Sequence, residues 1–184
     1  YVCEIYLLDL GKDIKSSPAI NWQRLLKQSK VKLSKITSKN EFPKINNGDV
    51  ILDGMFGSGL TRALEGFPAE IINQINQLKN TVVSIDIPSG LKGEDNTENI
   101  PENIIKADFT LTFQFPKISF LFAENEKYVG NWEMLPIGLH PDGIAKIPTD
   151  YFFIEKADIH QILPKRSQFA HKGTFGHALL IAGS

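Results

Sequence analysis

Thr81-Val82-Val83-Ser84-Ile85-Asp86-Ile87-Pro88-Ser89-Gly90 (residues 81–90) is the stretch on which the fold turns. Its first half, Thr81 to Ile85, is apolar and β-branched, the composition of a central strand buried on both faces of a parallel sheet. It stops at a carboxylate, Asp86, and passes into a turn rich in Pro, Ser and Gly. The same grammar precedes it. Val50-Ile51-Leu52 is a short apolar run after the turn signal Asn46-Asn47-Gly48-Asp49, and it ends at Asp53 before Gly57-Ser58-Gly59. Between the two strands, Pro68 opens a helix with Ile71, Ile72, Ile75 and Leu78 at helical spacing.

The alternation extends both ways. Val2 to Leu8 begins a strand. Ser17-Pro18 starts a helix, with Ser as N-cap and Pro in the first helical position, and Ile20, Trp22, Leu25 and Leu26 form its apolar face. Val31 to Ile36 reads as a short strand, Gly90 to Pro101 as a surface loop, Phe109 to Phe113 as a strand, and Trp132 to Ile137 as the last strand of the unit. Strands separated by helical segments predict an α/β fold: a three-layer, Rossmann-like, mostly parallel sheet with helices on both faces. Pro141 to Pro148 loosens the pattern and marks a boundary. Residues 1–150 therefore read as one domain and 151–184 as the beginning of another. Ala178 to Ala182 reads as a buried strand with no crossover after it. With Tyr1 in place of an initiator Met, both ends read as cut, and the chain is expected to be an internal slice of a longer protein.

Composition narrows the function classes. Of 184 residues, 42% are hydrophobic and 22% charged, which is a globular balance. The formal net charge of −1 gives no electrostatic case for nucleic acid or an anionic membrane surface. No apolar run approaches the roughly 20 residues that span a bilayer. The single cysteine, Cys3, excludes an internal disulfide framework and, with no signal-peptide pattern, points to the cytoplasm. His140, His160, His171 and His177 are scattered without ligand partners at metal spacing, which argues against zinc.

In an open parallel sheet, ligands bind outside the carboxyl ends of the strands. Asp53 and Asp86 sit there. Each is followed by glycines that let backbone N–H groups come close to a phosphate. Taken singly, each feature has a plainer reading. Gly57-Ser58-Gly59 is also an ordinary turn, Asp86 a turn cap, and Lys117 and Arg62 solvated surface residues.

Three stretches in order change the balance: Asp53-Gly54-Met55-Phe56-Gly57-Ser58-Gly59-Leu60, Val83 to Leu91, and Ala107-Asp108-Phe109-Thr110-Leu111-Thr112-Phe113-Gln114-Phe115-Pro116-Lys117. Over about residues 1 to 140 the chain resembles the NAD(P)H-hydrate epimerase family. Arg166, then His171-Lys172-Gly173-Thr174-Phe175-Gly176-His177, then Ile181-Ala182-Gly183-Ser184, is similar to the opening of the ADP/ATP-dependent NAD(P)H-hydrate dehydratase domain, a ribokinase-like fold. In bifunctional bacterial proteins the two are fused in this order.

The resemblance implies an isomerase that converts the R epimer of hydrated NADH or NADPH into the S epimer, which the dehydratase half then uses. By the same resemblance, Asp53 and Ser89 match potassium ligands. Gly57, Ser58, Gly59, Leu60, Thr61, Arg62 and Ala63 match a substrate-binding loop. Asp86 matches the acidic residue that contacts substrate and takes part in catalysis. Lys117, of the Thr-Phe-x-x-Pro-Lys signature, is counted with it as catalytic. The implied cofactor is K+ and the implied partner a small molecule, with a homo-oligomer left open. The family's Asn-Asn-Gly-Gly-Asp-Gly-type motif is not in this sequence. Asn46 to Asp49 is only superficially similar and reads as a turn. Two other classes stay open: a non-catalytic binding module on the same fold, and a generic dinucleotide-binding domain. Against the latter, the third fingerprint glycine and the ribose-binding acid are missing.

Overall fold

The computed structural model describes residues 2–11, 16–28, 30–163, 165 and 167–183. It divides into two compact units, residues 1–139 and 140–184.

In the first unit, β1 (Glu4–Leu8) is followed by α1 (Ser16–Gln28) and β2 (Lys32–Ile36), and the two strands pair in parallel. A turn closed by Asp49 N–H on the Asn46 carbonyl, with Gly48 at φ +91°, leads into β3 (Ile51–Asp53). Then come α2 (Phe67–Asn76), β4 (Val82–Ile85), β5 (Phe109–Phe113), α3 (Glu126–Val129) and β6 (Asn131–Leu135). Strands β3-β4-β5-β6 form a second, four-stranded sheet, parallel throughout. The expected α/β alternation and parallel pairing are present. Among the described residues, however, the strands fall into two sheets rather than one.

The core lies on one face of the four-stranded sheet. Ile71, Ile72 and Ile75 of α2 pack with Ile36, Val82, Ile105 and Ala107. Ile87, Leu91, Ile104, Phe120, Tyr128 and Val129 form a second cluster. Each fully buried isoleucine or leucine contributes about 1.5–3 kcal/mol. The opposite face is open: Leu52 is 63% exposed, Ile85 40%, Phe109 46% and Phe113 37%. The expected helical cover therefore reaches only one face of this sheet among the described residues. Chain order explains this. Each strand from β3 to β6 is added on the same side of the last, and right-handed crossovers added in one direction all lie on one face.

Two further expectations change. The segment 90–101, read as a surface loop, is partly built into the fold: Leu91 is fully buried and the Gly93 carbonyl accepts from Ser119 N–H. In the second unit, α4 (Pro141–Ala145) and α5 (Lys156–Ile162) are short helices. The expected strand Ala178–Ala182 does not form. Leu179, Leu180 and Ile181 are 86–88% exposed, and without a neighbouring strand their backbone has no ladder to join. Arg166 and Ser184, which belong to the dehydratase-like tail motif, lie outside the described residues.

Candidate active site

The carboxyl ends of β3, β4 and β5 bring together two acidic centres. The first is Asp53, the last residue of β3, which is 2% exposed. Its Oδ2 accepts from Ser84 Oγ at 2.8 Å and from Ser89 N–H at 2.8 Å. Its Oδ1 accepts from Ser89 Oγ at 2.5 Å and Met55 N–H at 3.3 Å. Ser89 Oγ in turn accepts from Phe56 N–H at 2.9 Å. A buried carboxylate is tolerated only when its lone pairs are met, and four donors meet them here. Ser84 was not singled out in the sequence. The available signal was a lone polar residue in a β-branched run, two positions before the strand's carboxylate. Its register partner across β3–β4 is Asp53 itself.

The second centre is Asp86, directly after β4, whose side chain is 17% exposed. Lys117 Nζ lies 2.8 Å from its Oδ1. Phe113 N–H donates to the same oxygen at 3.2 Å, and Thr112 Oγ1 lies 3.4 Å from it. Among the described residues, Oδ2 has no hydrogen-bond partner. Thr112 opens the Thr-Phe-x-x-Pro-Lys signature, yet like Ser84 it carries no role in the sequence reading, because a β5 threonine looks like an ordinary strand residue.

Backbone strain marks the same place. Asp86 has φ +70° and Gln114 φ +59°, the two non-glycine residues at positive φ among those described. Ile87 N–H bonds the Ile85 carbonyl across Asp86 at 3.0 Å, and Phe115 N–H bonds Phe113 across Gln114 at 2.6 Å. Both are γ-turns of the rare positive-φ kind. Each is braced by the next strand: Asp86 N–H donates to Leu111, and Gln114 N–H to Leu135, both at 2.8 Å. Strained backbone of this sort persists where the surroundings over-determine it, often at functional sites.

The structure thus joins Asp53 to Ser89, and Asp86 to Lys117. Ile87 and Pro88 link the two centres along the chain, and both are buried. Gly57, Ser58, Gly59, Thr61 and Arg62 are exposed, with Leu60 and Ala63 half-buried. Among the described residues no hydrogen bond or ion pair ties this loop to Asp86 or Lys117.

The glycines divide in the same way. A Cβ on Gly57 or Gly59 would meet nothing within 4 Å. Gly90, which the sequence reading grouped with the ligand-approach glycines, is buried at φ +97°, and its backbone touches that of Asn103. It serves packing. Gly57→Ala is therefore expected to leave the free energy of urea unfolding unchanged to within ~0.5 kcal/mol. A loss well beyond that would show that Gly57 is packed in solution.

The family model described as "YjeF-related protein N-terminus" matches residues 4–119. A bifunctional NAD(P)H-hydrate repair enzyme Nnr from Coxiella burnetii is 32% identical over 141 residues, 77% of this chain and 28% of the relative. The Nnr of Synechocystis is 37% identical over 142 residues, 74% of this chain and 26% of the relative. A bifunctional NAD(P)H-hydrate repair enzyme from Leishmania braziliensis is 33% identical over 139 residues, 73% of this chain and 24% of the relative. The chain spans about a quarter of the length of these curated relatives.

Proposed function

Because the chain belongs to the YjeF-related N-terminal family, whose model covers residues 4–119, we propose that it epimerises hydrated NADH or NADPH, converting the R form to the S form. The observation that carries the proposal is the Asp86–Lys117 pair at the sheet's carboxyl edge, with one carboxylate oxygen fully engaged and the other free. The relatives are named as repair enzymes, which does not favour a non-catalytic module. The tail residues His171 to His177 support a second proposal, that 151–184 opens a dehydratase domain after an epimerase domain at 1–150.

The substrate's stereocentre bears a hydroxyl on the carbon next to the ring nitrogen. A proton given to that hydroxyl lets it leave as water, with the C–O electron pair departing on oxygen. The nitrogen lone pair then stabilises the cation. Water adds to the other face and returns its proton, so nothing is consumed. Asp86 Oδ2 is the oxygen placed to give and regain that proton. Lys117 holds Oδ1 in place through a charge-assisted bond.

Potassium fits by donor chemistry. Asp53 Oδ1, Ser89 Oγ and the Phe56 carbonyl converge, with Ser89 Oγ 2.5 Å from the first and 3.4 Å from the last. Oxygen-only ligands carrying one negative charge suit a hard cation. Asp53 and Ser89 would hold it. When bound, it supplies a fixed positive charge beside an anionic substrate.

The test is chromatographic separation of the two epimers after incubation of R-hydrated NADH with the full-length protein. Potassium chloride is compared with choline chloride at equal ionic strength, and melting temperature is recorded in both. Interconversion with a potassium-dependent rise in melting temperature is expected. A folded protein that leaves the epimers untouched would overturn the activity, and equal melting in both salts would overturn the potassium site.

A further inference from the structure

We propose that Thr112 is a positioning residue for Asp86, and that its hydroxyl fixes which carboxylate oxygen faces the substrate. The inference rests on the epimerase reading above and goes beyond it to a residue that neither touches substrate nor belongs to the catalytic pair.

Thr112 is fully buried in β5. Its Oγ1 lies 3.4 Å from Asp86 Oδ1 and 3.3 Å from the Phe115 carbonyl. A threonine hydroxyl has one proton and serves only one of these acceptors at a time. Both distances exceed the roughly 3.0 Å usual for an O–H donor, so neither bond is tightly made and the hydroxyl sits between the two acceptors. With Asp86 ionised, it turns to Oδ1 and joins Lys117 and Phe113 N–H there. With Asp86 neutral, it turns to Phe115. The second acceptor is itself held in place, because Phe115 N–H closes the γ-turn over Gln114. Thr112 therefore couples the strained turn that leads to Lys117 with the charge state of Asp86. The result is an unequal carboxylate. Oδ1 is surrounded by three donors, while Oδ2 is left to exchange the proton with substrate.

A merely structural threonine would bond its own turn at Phe115 and matter only to folding. The experiment separates the two roles. In the full-length protein with R-hydrated NADH, Thr112→Val is expected to lower kcat about tenfold with KM within about twofold, and Thr112→Ser to restore most of it. In parallel, amide hydrogen exchange at Phe113, which bonds Asp86 Oδ1, is expected to quicken in Thr112→Val and not in Thr112→Ser. Wild-type kcat in Thr112→Val, or an equal loss in Thr112→Ser, would overturn the proposal. If the valine variant does not fold, Thr112→Cys, with its weak donor, is compared with Thr112→Ser by the same criteria. If wild type itself does not epimerise, the functional reading has failed, and Phe113 exchange alone decides whether Thr112 holds Asp86.

Discussion

Asp86→Asn is expected to abolish most epimerisation, lowering kcat by roughly 10²–10⁴-fold, the range over which a positioned general acid–base acts. The substitution is a clean one. Asparagine, like aspartate, is among the non-glycine residues enriched at positive φ, so the γ-turn at φ +70° is retained. An amide oxygen in the Oδ1 position still accepts from Lys117 and from Phe113 N–H. What changes is Oδ2, which becomes an NH2 group unable to take up or release the proton. Alanine would confound this test, because it also strains the backbone and leaves the Lys117 ammonium and Phe113 N–H with no side-chain acceptor at this position. The expected pattern is a protein that still folds cooperatively, with a lowered melting temperature because Lys117 loses its counter-ion, KM near wild type and a collapsed kcat, measured by epimer chromatography. Full activity in a folded Asp86→Asn protein would remove Asp86 from the chemistry.

Gly90→Ala is expected to cost about 3 kcal/mol or more of folding stability. The new Cβ would lie 2.2 Å from the Asn103 carbonyl oxygen and 2.9 Å from Ile104 Cα, at φ +97°. Neither neighbour can give way. Asn103 Nδ2 donates to the Leu64 carbonyl at 2.7 Å, and Asn73 Nδ2 donates to Asn103 Oδ1 at 3.1 Å. The Ile104 carbonyl accepts from Asn76 Nδ2 at 2.8 Å, and Ile105 N–H donates to Ser89 at 2.9 Å. The Cβ therefore wedges apart the join between the Pro88-Ser89-Gly90 turn and the segment after it, and Ser89 is one of the groups holding Asp53. Urea unfolding measures the loss through the midpoint. Gly93→Ala, whose Cβ would meet nothing within 4 Å, is the control, expected within ~0.5 kcal/mol of wild type. Equal midpoints for the two variants would show that the close approach at Gly90 is absent in solution.

Much of the site was legible because parallel α/β proteins leave their chemistry where apolar strands end. Asp53 and Asp86 follow from that rule alone. Lys117 came from the resemblance. Its position 31 residues from Asp86 along the chain carries no local signal, because the pairing is made across β4 and β5. Ser84 and Thr112 lie within the quoted stretches but take no role from them, for a related reason. In a single strand a small polar residue reads the same whether it meets solvent or a buried carboxylate, and only the register says which.

The sequence by itself determined the α/β alternation, the ends of β3, β4 and β5, the helix carrying Ile71, Ile72 and Ile75, and the two carboxylates. These follow from local periodicity and from turn residues, which act over a few positions. The tertiary structure alone decided that the strands divide between two sheets, that the core gathers on one face, that Gly90 answers to Asn103 rather than to a ligand, and that Asp86 keeps one oxygen bound and the other free. Those outcomes depend on strand register and crossover direction, which join residues tens of positions apart and leave no pattern in the order of the amino acids between them.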